Sequence, residues 1–204
     1  MEKIEVVFLE SSLELVDNRL LDIGESRKKI RKDSGKRGRP DIVHVSLLNL
    51  MEKPFVLNGN VEVFVHIYDD RVFKLSNNIR LPKNYERFKG LMRQLLLYEK
   101  VPPGSKDPLI WKVSDSLDEY LNGRRIILLS EDGIPSSIDD VIRLSSSTGY
   151  PIGIGAFSHG GFSKRVSANV YEAFSLYNGV KLKAWDVSCL LSSKLFEIFS
   201  TRIR

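Results

Sequence analysis

Runs of apolar residues are the feature that most limits the folds open to this chain. IEVVFLE (4–10), RIILLS (125–130) and YPIGIGAF (150–157) are rich in branched apolar side chains, and AFSLYN (173–178) is a further short run. Short runs of this kind, bounded by turn residues, are typical of strands buried in a sheet. When such strands alternate with helices, they form a parallel sheet covered on both faces. We therefore expect an α/β fold.

Stripes of apolar residues at helical spacing lie between and around these runs. SSLELVDNRLLDI (11–23) places Leu13, Val16 and Leu20 on one face, behind serines that can cap a helix. Ser137 is a candidate cap for a later helix. Together the stripes predict helices over residues 11–23, 39–54, 79–97, 136–147 and 180–203.

The remaining segments carry turn residues. VEVFVHIYDDRVFKLS (61–76) predicts two strands that turn at Asp69-Asp70, and EDGIPSS (131–137) predicts a turn after a strand. Prolines and glycines divide residues 100–124 into loops with one short strand near 109–113 and a short helix.

Composition favours an ordinary globular protein, with 42% hydrophobic and 28% charged residues. No apolar run approaches the roughly 18–20 residues that a membrane span needs, and MEKIEVVFLE lacks the pattern of a secretory signal. The single cysteine, Cys189, cannot form an internal disulfide, which fits a reducing compartment. With no repeat or linker, we expect one cytoplasmic domain over 1–204, elaborated within 55–124, with no membrane partner.

A basic segment stands out in the charge pattern. SRKKIRKDSGKRGR (26–39) has eight Lys or Arg among fourteen residues, and only Asp33 opposes them. Such a stretch predicts an exposed, mobile loop. It is either a solvated loop or an electrostatic arm for a polyanion, most often nucleic acid.

The glycine-rich stretch IGIGAFSHGG (152–161) predicts a loop at the carboxyl end of a strand, where α/β proteins bind ligands. The dinucleotide fingerprint fails because Ser158 replaces its third glycine. The P-loop pattern fails because Gly161 and Phe162 stand where Lys and Ser/Thr are required. The loop is therefore not a phosphate cradle of either kind.

The reactive side chains suggest neither a metal centre nor a nucleophile. A metal site needs three or four ligands, and the only histidines besides His159 are His44 and His66. His66 alternates with apolar residues and is interpreted as an ordinary strand residue. Cys189 lies within an apolar helix face and is expected in the core. We expect no metal, and His159 receives no role.

Three stretches together resemble one known family: RPDIVHVSLLNLME (39–52), IRLPKNYERFKGLMRQLL (79–96) and IGIGAFSHGG (152–161). They are similar to the nucleolar essential protein family of ribosome-biogenesis SPOUT methyltransferases, most of all to its archaeal members. The resemblance implies methylation of N1 of a pseudouridine in small-subunit rRNA. It also implies a SPOUT-type α/β fold, a C-terminal trefoil knot within about 125–204, and a homodimer.

The resemblance implies that S-adenosylmethionine is the cofactor, bound among three loops. SEDG (130–133) contributes Ser130 and Gly133, and GAFSHG (155–160) contributes Gly155 and Gly160. This cofactor has no phosphate, so the absent P-loop lysine is expected. The third loop, LYNGVK, supplies Leu176, Tyr177, Asn178, Gly179, Val180 and Lys181.

The same resemblance assigns Arg39, Arg80, Lys83 and Arg87 to RNA binding and makes Arg39 and Asp41 the catalytic pair. Asp41 would orient Arg39 by a charge-assisted pair. Asp41 is also a candidate acceptor for the N1 proton, as is solvent. Lys89 and Arg93, in the same predicted helix, are interpreted as solvated surface residues.

Methyl transfer to pseudouridine can proceed by direct displacement once the N1 proton is lost, without a cysteine adduct. The expected partners are a small-subunit rRNA hairpin, a second copy of the chain, and ribosomal proteins or assembly factors. One alternative is an assembly factor that binds rRNA and whose catalysis is secondary or absent. Another is a related SPOUT enzyme acting on tRNA or on ribose hydroxyls.

Overall fold

An eight-stranded mixed sheet forms the centre of the molecule in the computed structural model, which describes residues 3–22 and 36–200. The spatial order of its strands is β10-β8-β9-β1-β4-β5-β7-β6, where the first five are parallel and the last three antiparallel. The strands are β1 (Ile4–Ser11), β2 (Leu15–Val16), β3 (Arg19–Leu20), β4 (Val61–Ile67), β5 (Val72–Leu75), β6 (Lys100–Val101), β7 (Ile110–Ser114), β8 (Ile126–Pro135), β9 (Ile152–Gly155) and β10 (Val170–Ser175). β2 and β3 form a separate hairpin.

Helices cover both faces of this sheet, as the apolar strands predicted. In β1, Val6 and Phe8 belong to one hydrophobic cluster, and Val7 and Leu9 to a second cluster on the opposite face. Alternate residues of a strand point to opposite faces, so β1 is buried on both sides. The helices are α1 (Pro40–Leu50), α2 (Pro54–Leu57), α3 (Tyr85–Tyr98), α4 (Leu117–Leu121), α5 (Ile138–Thr148), α6 (Lys164–Ser167) and α7 (Ala184–Ser200).

Local capping chemistry sets several helix starts. Ser137 accepts a hydrogen bond from the Asp140 amide and begins α5, which confirms the predicted cap. Asn84 accepts one from the Arg87 amide in the same way and begins α3. The strand pair within 61–76 and the short strand and helix within 100–124 are also confirmed, whereas α6 was not predicted.

The predicted helix over 11–23 is wrong, because β1 continues to Ser11 and the chain then forms the β2–β3 hairpin. Asp17 and Asn18 form its turn with φ of 51° and 58°. Positive φ at both central residues is the geometry of a type I′ hairpin turn, which Asp and Asn tolerate. The apolar stripe therefore belongs to short strands rather than to a helix.

The predicted turn at EDGIPSS is also wrong, since β8 runs from Ile126 to Pro135. Its pairing with β10 is interrupted: Leu128 faces Ala173, and the next paired residue, Ile134, faces Phe174. Residues 129–133 therefore leave the ladder with β10, although Leu129 still pairs with Ile154 of β9, and this excursion is called the β8 bulge. The turn-like residues form this excursion within a strand.

The last helix leaves part of its apolar surface uncovered. Cys189, predicted in the core, is exposed on α7, and Phe196 is 51% exposed. An apolar stripe identifies the face of a helix, but it does not say whether the same chain covers it. No helix within the described residues is long and apolar enough to cross a membrane.

Candidate functional site

A cavity of about 430 Å³ opens at the carboxyl ends of β8 and β9. Its walls come from the β8 bulge, the glycine-rich loop that follows β9, and the segment leading into α7. Arg39 and Ile42, at the start of α1, line it from the N-terminal half of the chain. The sheet thus brings three C-terminal segments and one N-terminal helix start to a single site.

The glycine-rich loop owes its path to two residues without side chains. Gly160 has a φ of +96°, a conformation that L side chains rarely adopt. A Cβ on Gly155 would lie 2.9 Å from Cζ of Phe162, whose ring packs edge-on against Phe157. Both glycines, which the resemblance assigns to cofactor binding, line the cavity. Gly153, inside β9, makes room for Ile126 and Leu9 instead.

An ion pair joins the β8 bulge to the segment after β10. The Lys181 ammonium lies 3.0 Å from a carboxylate oxygen of Glu131, and both residues line the cavity. The hydrogen bond from Lys181 is the main reason that the pKa of Glu131 is lowered. Sequence reasoning chose this loop for Ser130 and Gly133 and missed Glu131 and Asp132, which also line the cavity.

The predicted cofactor residues are divided between lining and supporting positions. Ser130, Gly155, Gly160 and Lys181 line the large cavity. A small neighbouring cavity of about 40 Å³ is lined by Ser130, Leu176 and Val180 among others. The predicted residues that line neither cavity are Gly133, Tyr177, Asn178 and Gly179.

These supporting residues shape the chain around the two cavities. Gly133 lets β8 and β10 approach closely, because a Cβ there would lie 2.5 Å from the Phe174 nitrogen. Gly179 has a φ of +82° and donates its N–H to Ser175 Oγ at 2.8 Å. The Val180 amide bonds to the Tyr177 carbonyl, which closes this turn. We expect Gly133 and the turn to act through backbone shape.

Arg39 and Asp41 form a bidentate pair at the start of α1. Arg39 Nε lies 2.8 Å from Asp41 Oδ1, and Nη2 lies 2.7 Å from Oδ2. Burial tends to raise the pKa of Asp41, but the hydrogen bond and charge of Arg39 outweigh it and leave the pKa lowered. A low pKa makes Asp41 a weak proton acceptor at neutral pH. The geometry suits the other predicted role, orientation of the guanidinium.

His44 connects α1 to the segment that carries the other basic residues. Its Nε2 lies 2.7 Å from the Pro82 carbonyl oxygen, so Nε2 carries the proton and donates. Its ring also stacks on Phe88 at 4.3 Å between centroids. Sequence reasoning weighed His44 only as a metal ligand. Its place in a buried helix face was the available signal for a structural role.

The predicted RNA-binding side chains Arg80, Lys83 and Arg87 are all exposed around the start of α3. None of the three forms an ion pair within residues 3–22 and 36–200. Lys89, predicted as a solvated residue, is only 9% exposed and pairs with Asp22 and Glu86. The solvated interpretation of Lys89 is therefore wrong, because its ammonium is held by two carboxylates.

His159 lines the cavity and its Nδ1 lies 3.0 Å from Ser158 Oγ. In the part of the chain that the structure describes, no group of three His, Cys, Asp or Glu residues could hold a metal ion. Of the basic segment 26–39, residues 26–35 lie outside the described residues.

Comparisons with known proteins agree on one family. The profile of the family described as EMG1/NEP1 methyltransferase matches residues 6–195. A "Ribosomal RNA small subunit methyltransferase Nep1" of Aeropyrum pernix is 38% identical over 208 residues, covering 90% of this chain and 93% of the relative. That of Staphylothermus marinus is 38% identical over 205 residues, covering 87% and 88%.

A solved structure agrees over nearly the whole chain. The crystal structure of Archaeoglobus fulgidus Nep1 bound to S-adenosylhomocysteine has a TM-score of 0.83 and 27% sequence identity. The match covers 98% of this chain and 100% of that one. The mixed α/β fold with its eight-stranded sheet is therefore shared with this structure.

Proposed function

The chain belongs to the EMG1/NEP1 methyltransferase family, and from this premise we propose that it methylates N1 of a pseudouridine. It transfers a methyl group from S-adenosylmethionine to small-subunit rRNA and acts in ribosome biogenesis. One observation carries the proposal: Arg39, from the basic side of the molecule, lines the same cavity as Gly155 and Gly160. Donor and target base would therefore meet at one place.

The cavity suits the proposed cofactor in size and in chemistry. Its volume of about 430 Å³ falls within the usual range for small-molecule sites. When bound, S-adenosylmethionine supplies a methyl group on a positively charged sulfonium. Asp132 places a carboxylate in the lining that favours a cation, whereas the charges of Glu131 and Lys181 are paired with each other at the rim.

Backbone groups complete the proposed cofactor site. Gly155 and Gly160 leave the loop backbone open to contact, and Ser130 adds a hydroxyl. Leu176 and Val180 line the small neighbouring cavity, the turn between them holds these two residues in place, and Gly133 sets the path of the β8 bulge. Every residue predicted for the cofactor site thus has a role: some line the two cavities, and the others shape the backbone around them.

The RNA side is proposed to consist of Arg39 and the exposed residues Arg80, Lys83 and Arg87. His44 ties the segment containing Arg80 and Lys83 to α1, and we expect these basic side chains to face the same RNA. Arg39 acts at the target nucleotide and the other three on phosphates, where Lys83 supplies charge without the bidentate fork of arginine. Access to the base requires the nucleotide to leave its stack.

N1 specificity follows from the chemistry of the target. Pseudouridine is joined to ribose through carbon, so its N1 carries a proton and can be methylated, whereas N1 of uridine is bonded to ribose. No cysteine adduct is needed, and the chain's only cysteine lies on α7. Positioning and electrostatics then supply the rate enhancement, with Arg39 held in place by Asp41.

Transfer of a labelled methyl group to two matched rRNA hairpins tests the proposal. One hairpin carries pseudouridine at the target position and the other carries uridine. We expect incorporation only into the pseudouridine hairpin. Equal incorporation into both would refute N1 specificity, and a panel with tRNA would reveal a different substrate class.

The assembly state and the knot are part of the same proposal. Cys189 and Phe196 are seven residues apart, share one face of α7 and are both exposed, which leaves an apolar surface for a second copy. A monomer in sedimentation at micromolar concentration would contradict the homodimer.

We place the trefoil knot within 125–204, where β8, β9 and β10 are parallel and the β8 bulge contacts the segment before α7.

A further inference from the structure

Glu10 is a buried carboxylate at the end of β1 that does not line the cavity. It is 6% exposed and has a φ of 48°, the left-handed region that is unusual for glutamate. The pairing of β1 with β4 shifts register between Phe8 and Ser11, so Glu10 lies in an irregularity of the central strand. Such strain persists only where the surroundings fix it.

A polar network fixes the backbone of Glu10. Its N–H donates to His66 Nδ1 at 3.1 Å, and the opposite nitrogen, Nε2, donates to Asp70 Oδ1 at 3.0 Å. Asp70 also accepts from the Leu117 amide and lies 3.2 Å from the Arg165 guanidinium. The neighbouring helices α4 and α6 thus help to hold the end of β1.

The carboxylate of Glu10 joins two segments that have different roles. Its Oε1 accepts the Ser163 N–H at 3.0 Å, where the glycine-rich loop ends and α6 begins. Its Oε2 pairs with the Lys36 ammonium, from the basic segment. The side chains of Glu10 and Lys36 are only 7% and 17% exposed, so this ion pair is largely shielded from solvent.

Lys36 also packs directly on the glycine-rich loop. Its ammonium lies 4.8 Å from the Phe157 ring centroid. A Cβ placed on Gly160 would lie 3.7 Å from Lys36 Cε. The Lys36 carbonyl accepts a hydrogen bond from Ser12 Oγ at 2.8 Å, which holds the backbone there as well. The basic segment and the cofactor loop therefore share one anchor.

We infer that Glu10 is a positioning residue that couples RNA binding to cofactor binding. The inference rests on the proposed function of the two segments. RNA that binds the described part of the basic segment, which carries Arg39, would act through Lys36, Glu10 and Ser163 on the loop that lines the cavity. The coupling is reciprocal, because each ligand must change the affinity of the other by the same factor. In this role Lys36 pairs with Glu10 and does not contact an RNA phosphate.

Calorimetry of S-adenosylhomocysteine binding, with and without the rRNA hairpin, tests the inference on the full chain. Glu10→Gln keeps the size of the side chain and an acceptor for the Ser163 N–H, but it removes the charge that holds Lys36. We expect the hairpin to raise the affinity of the wild-type chain roughly tenfold, within the usual range of coupling. In Glu10→Gln this factor should fall towards one.

Glu14→Gln is the matched control. Glu14 binds Arg37 in the same basic segment, with Arg37 Nε at 2.7 Å from Oε2, and it anchors that segment to the β2–β3 hairpin region rather than to the glycine-rich loop. Its loss should leave the coupling factor as in the wild type. Loss of coupling in both variants would overturn the specific role of Glu10.

A second variant keeps the test decisive if Glu10→Gln fails to fold. Removing one partner of a buried pair leaves an uncompensated charge, whereas removing both is often tolerated. Glu10→Gln/Lys36→Met should therefore unfold near the wild-type temperature and still lack coupling. Retained coupling in either folded variant overturns the inference.

Two further outcomes separate this inference from the proposed function. Lys36→Met alone should leave the salt dependence of RNA binding unchanged, and a slope reduced by about one unit would make Lys36 a phosphate contact and overturn its role as an anchor. Failure of the wild-type chain to bind S-adenosylhomocysteine at all would overturn the proposed function, and the inference with it.

Discussion

The glycine-rich loop and the start of α1 face the same cavity, but they limit substitution in opposite ways. In the loop, Gly155 and Gly160 matter because atoms are absent: a side chain would meet Phe162 or require a strained backbone. At the start of α1, Arg39 matters because a charged group is present and is held by Asp41. Adding atoms should damage the first region, and removing charge should damage the second.

The largest effect is expected from Gly155→Leu. Its Cβ would lie 2.9 Å from Phe162 Cζ and 3.1 Å from Phe157 Cε1, so both rings must move within the cavity wall. Overpacking of this kind costs about 1–3 kcal/mol, and we expect at least a tenfold loss of S-adenosylhomocysteine affinity by calorimetry. RNA affinity in the absence of cofactor should change little.

Gly90→Ala is the control for the added side chain. Gly90 lies on the exposed face of α3, and a Cβ there meets nothing within 4 Å. This variant should bind the cofactor normally and gain a few tenths of a kcal/mol or more in stability, because alanine favours helix. Normal cofactor binding by Gly155→Leu would refute the assignment of the loop.

Arg39→Ala should have the next largest effect, on the RNA side. It removes a cavity-lining charge and leaves Asp41 without its bidentate partner. We expect methyl transfer to fall by roughly 10- to 100-fold, with cofactor affinity nearly unchanged, since misplacement of a reacting group carries penalties of this size. Arg39→Lys should recover little, because lysine lacks the planar fork that pairs with Asp41. Equal loss of cofactor and RNA binding would instead indicate a folding defect.

Parts of the fold also differ in how far the sequence predicted them. Strands buried on both faces and helix caps such as Ser137 follow from local pattern, and they were predicted from the sequence. The β8 bulge was not predicted, because β8 pairs with β10 both before and after its turn-like residues, and this long-range pairing leaves no local signal in the sequence. The predicted burial of Cys189 was wrong for a related reason. Its exposure depends on what covers α7, and the spacing of residues within the helix does not show this.

For the site, resemblance supplied what spacing could not. Gly155 and Gly160 were proposed from motif position, and both line the cavity. The pair of Glu131 with Lys181 joins residues far apart in the chain, so only the folded sheet shows that they meet. The β2–β3 hairpin is the opposite case, because Asp17-Asn18 carried a local turn signal that the apolar stripe masked.

Arg87→Ala tests the contribution of an exposed basic side chain to RNA binding, and its expected effect is smaller. Arg87 is exposed at the first turn of α3 and forms no ion pair within the described residues. Removal should weaken RNA binding a few-fold and reduce the slope of log affinity against log salt by about one unit. Arg93→Ala, on the same helix, is the control, since Arg93 donates to the Asn18 carbonyl at 2.7 Å. Equal changes of slope in both variants would show that position on the RNA face does not matter.

The smallest effect concerns the pH dependence that Asp41 contributes. Its pKa is lowered in the folded chain, so its contribution to stability is present above the unfolded value of about 4 and is lost as pH falls through the folded value. Its side chain is 41% exposed, so solvent screening should keep this contribution below about 1 kcal/mol. Denaturant unfolding of the wild type and Asp41→Asn should therefore differ slightly at pH 6, and the difference should vanish well below pH 4.

The same variant distinguishes orientation of Arg39 from proton transfer. If Asp41 positions Arg39, Asp41→Asn lowers methyl transfer by a modest factor and keeps the shape of the pH–rate profile. If Asp41 accepts the N1 proton, the acid limb of that profile depends on its ionisation and disappears in the variant. Arg39 stabilises the carboxylate of Asp41 and weakens it as a base, so we expect the acid limb to persist. Asp41 would then contribute to catalysis by placing the Arg39 guanidinium.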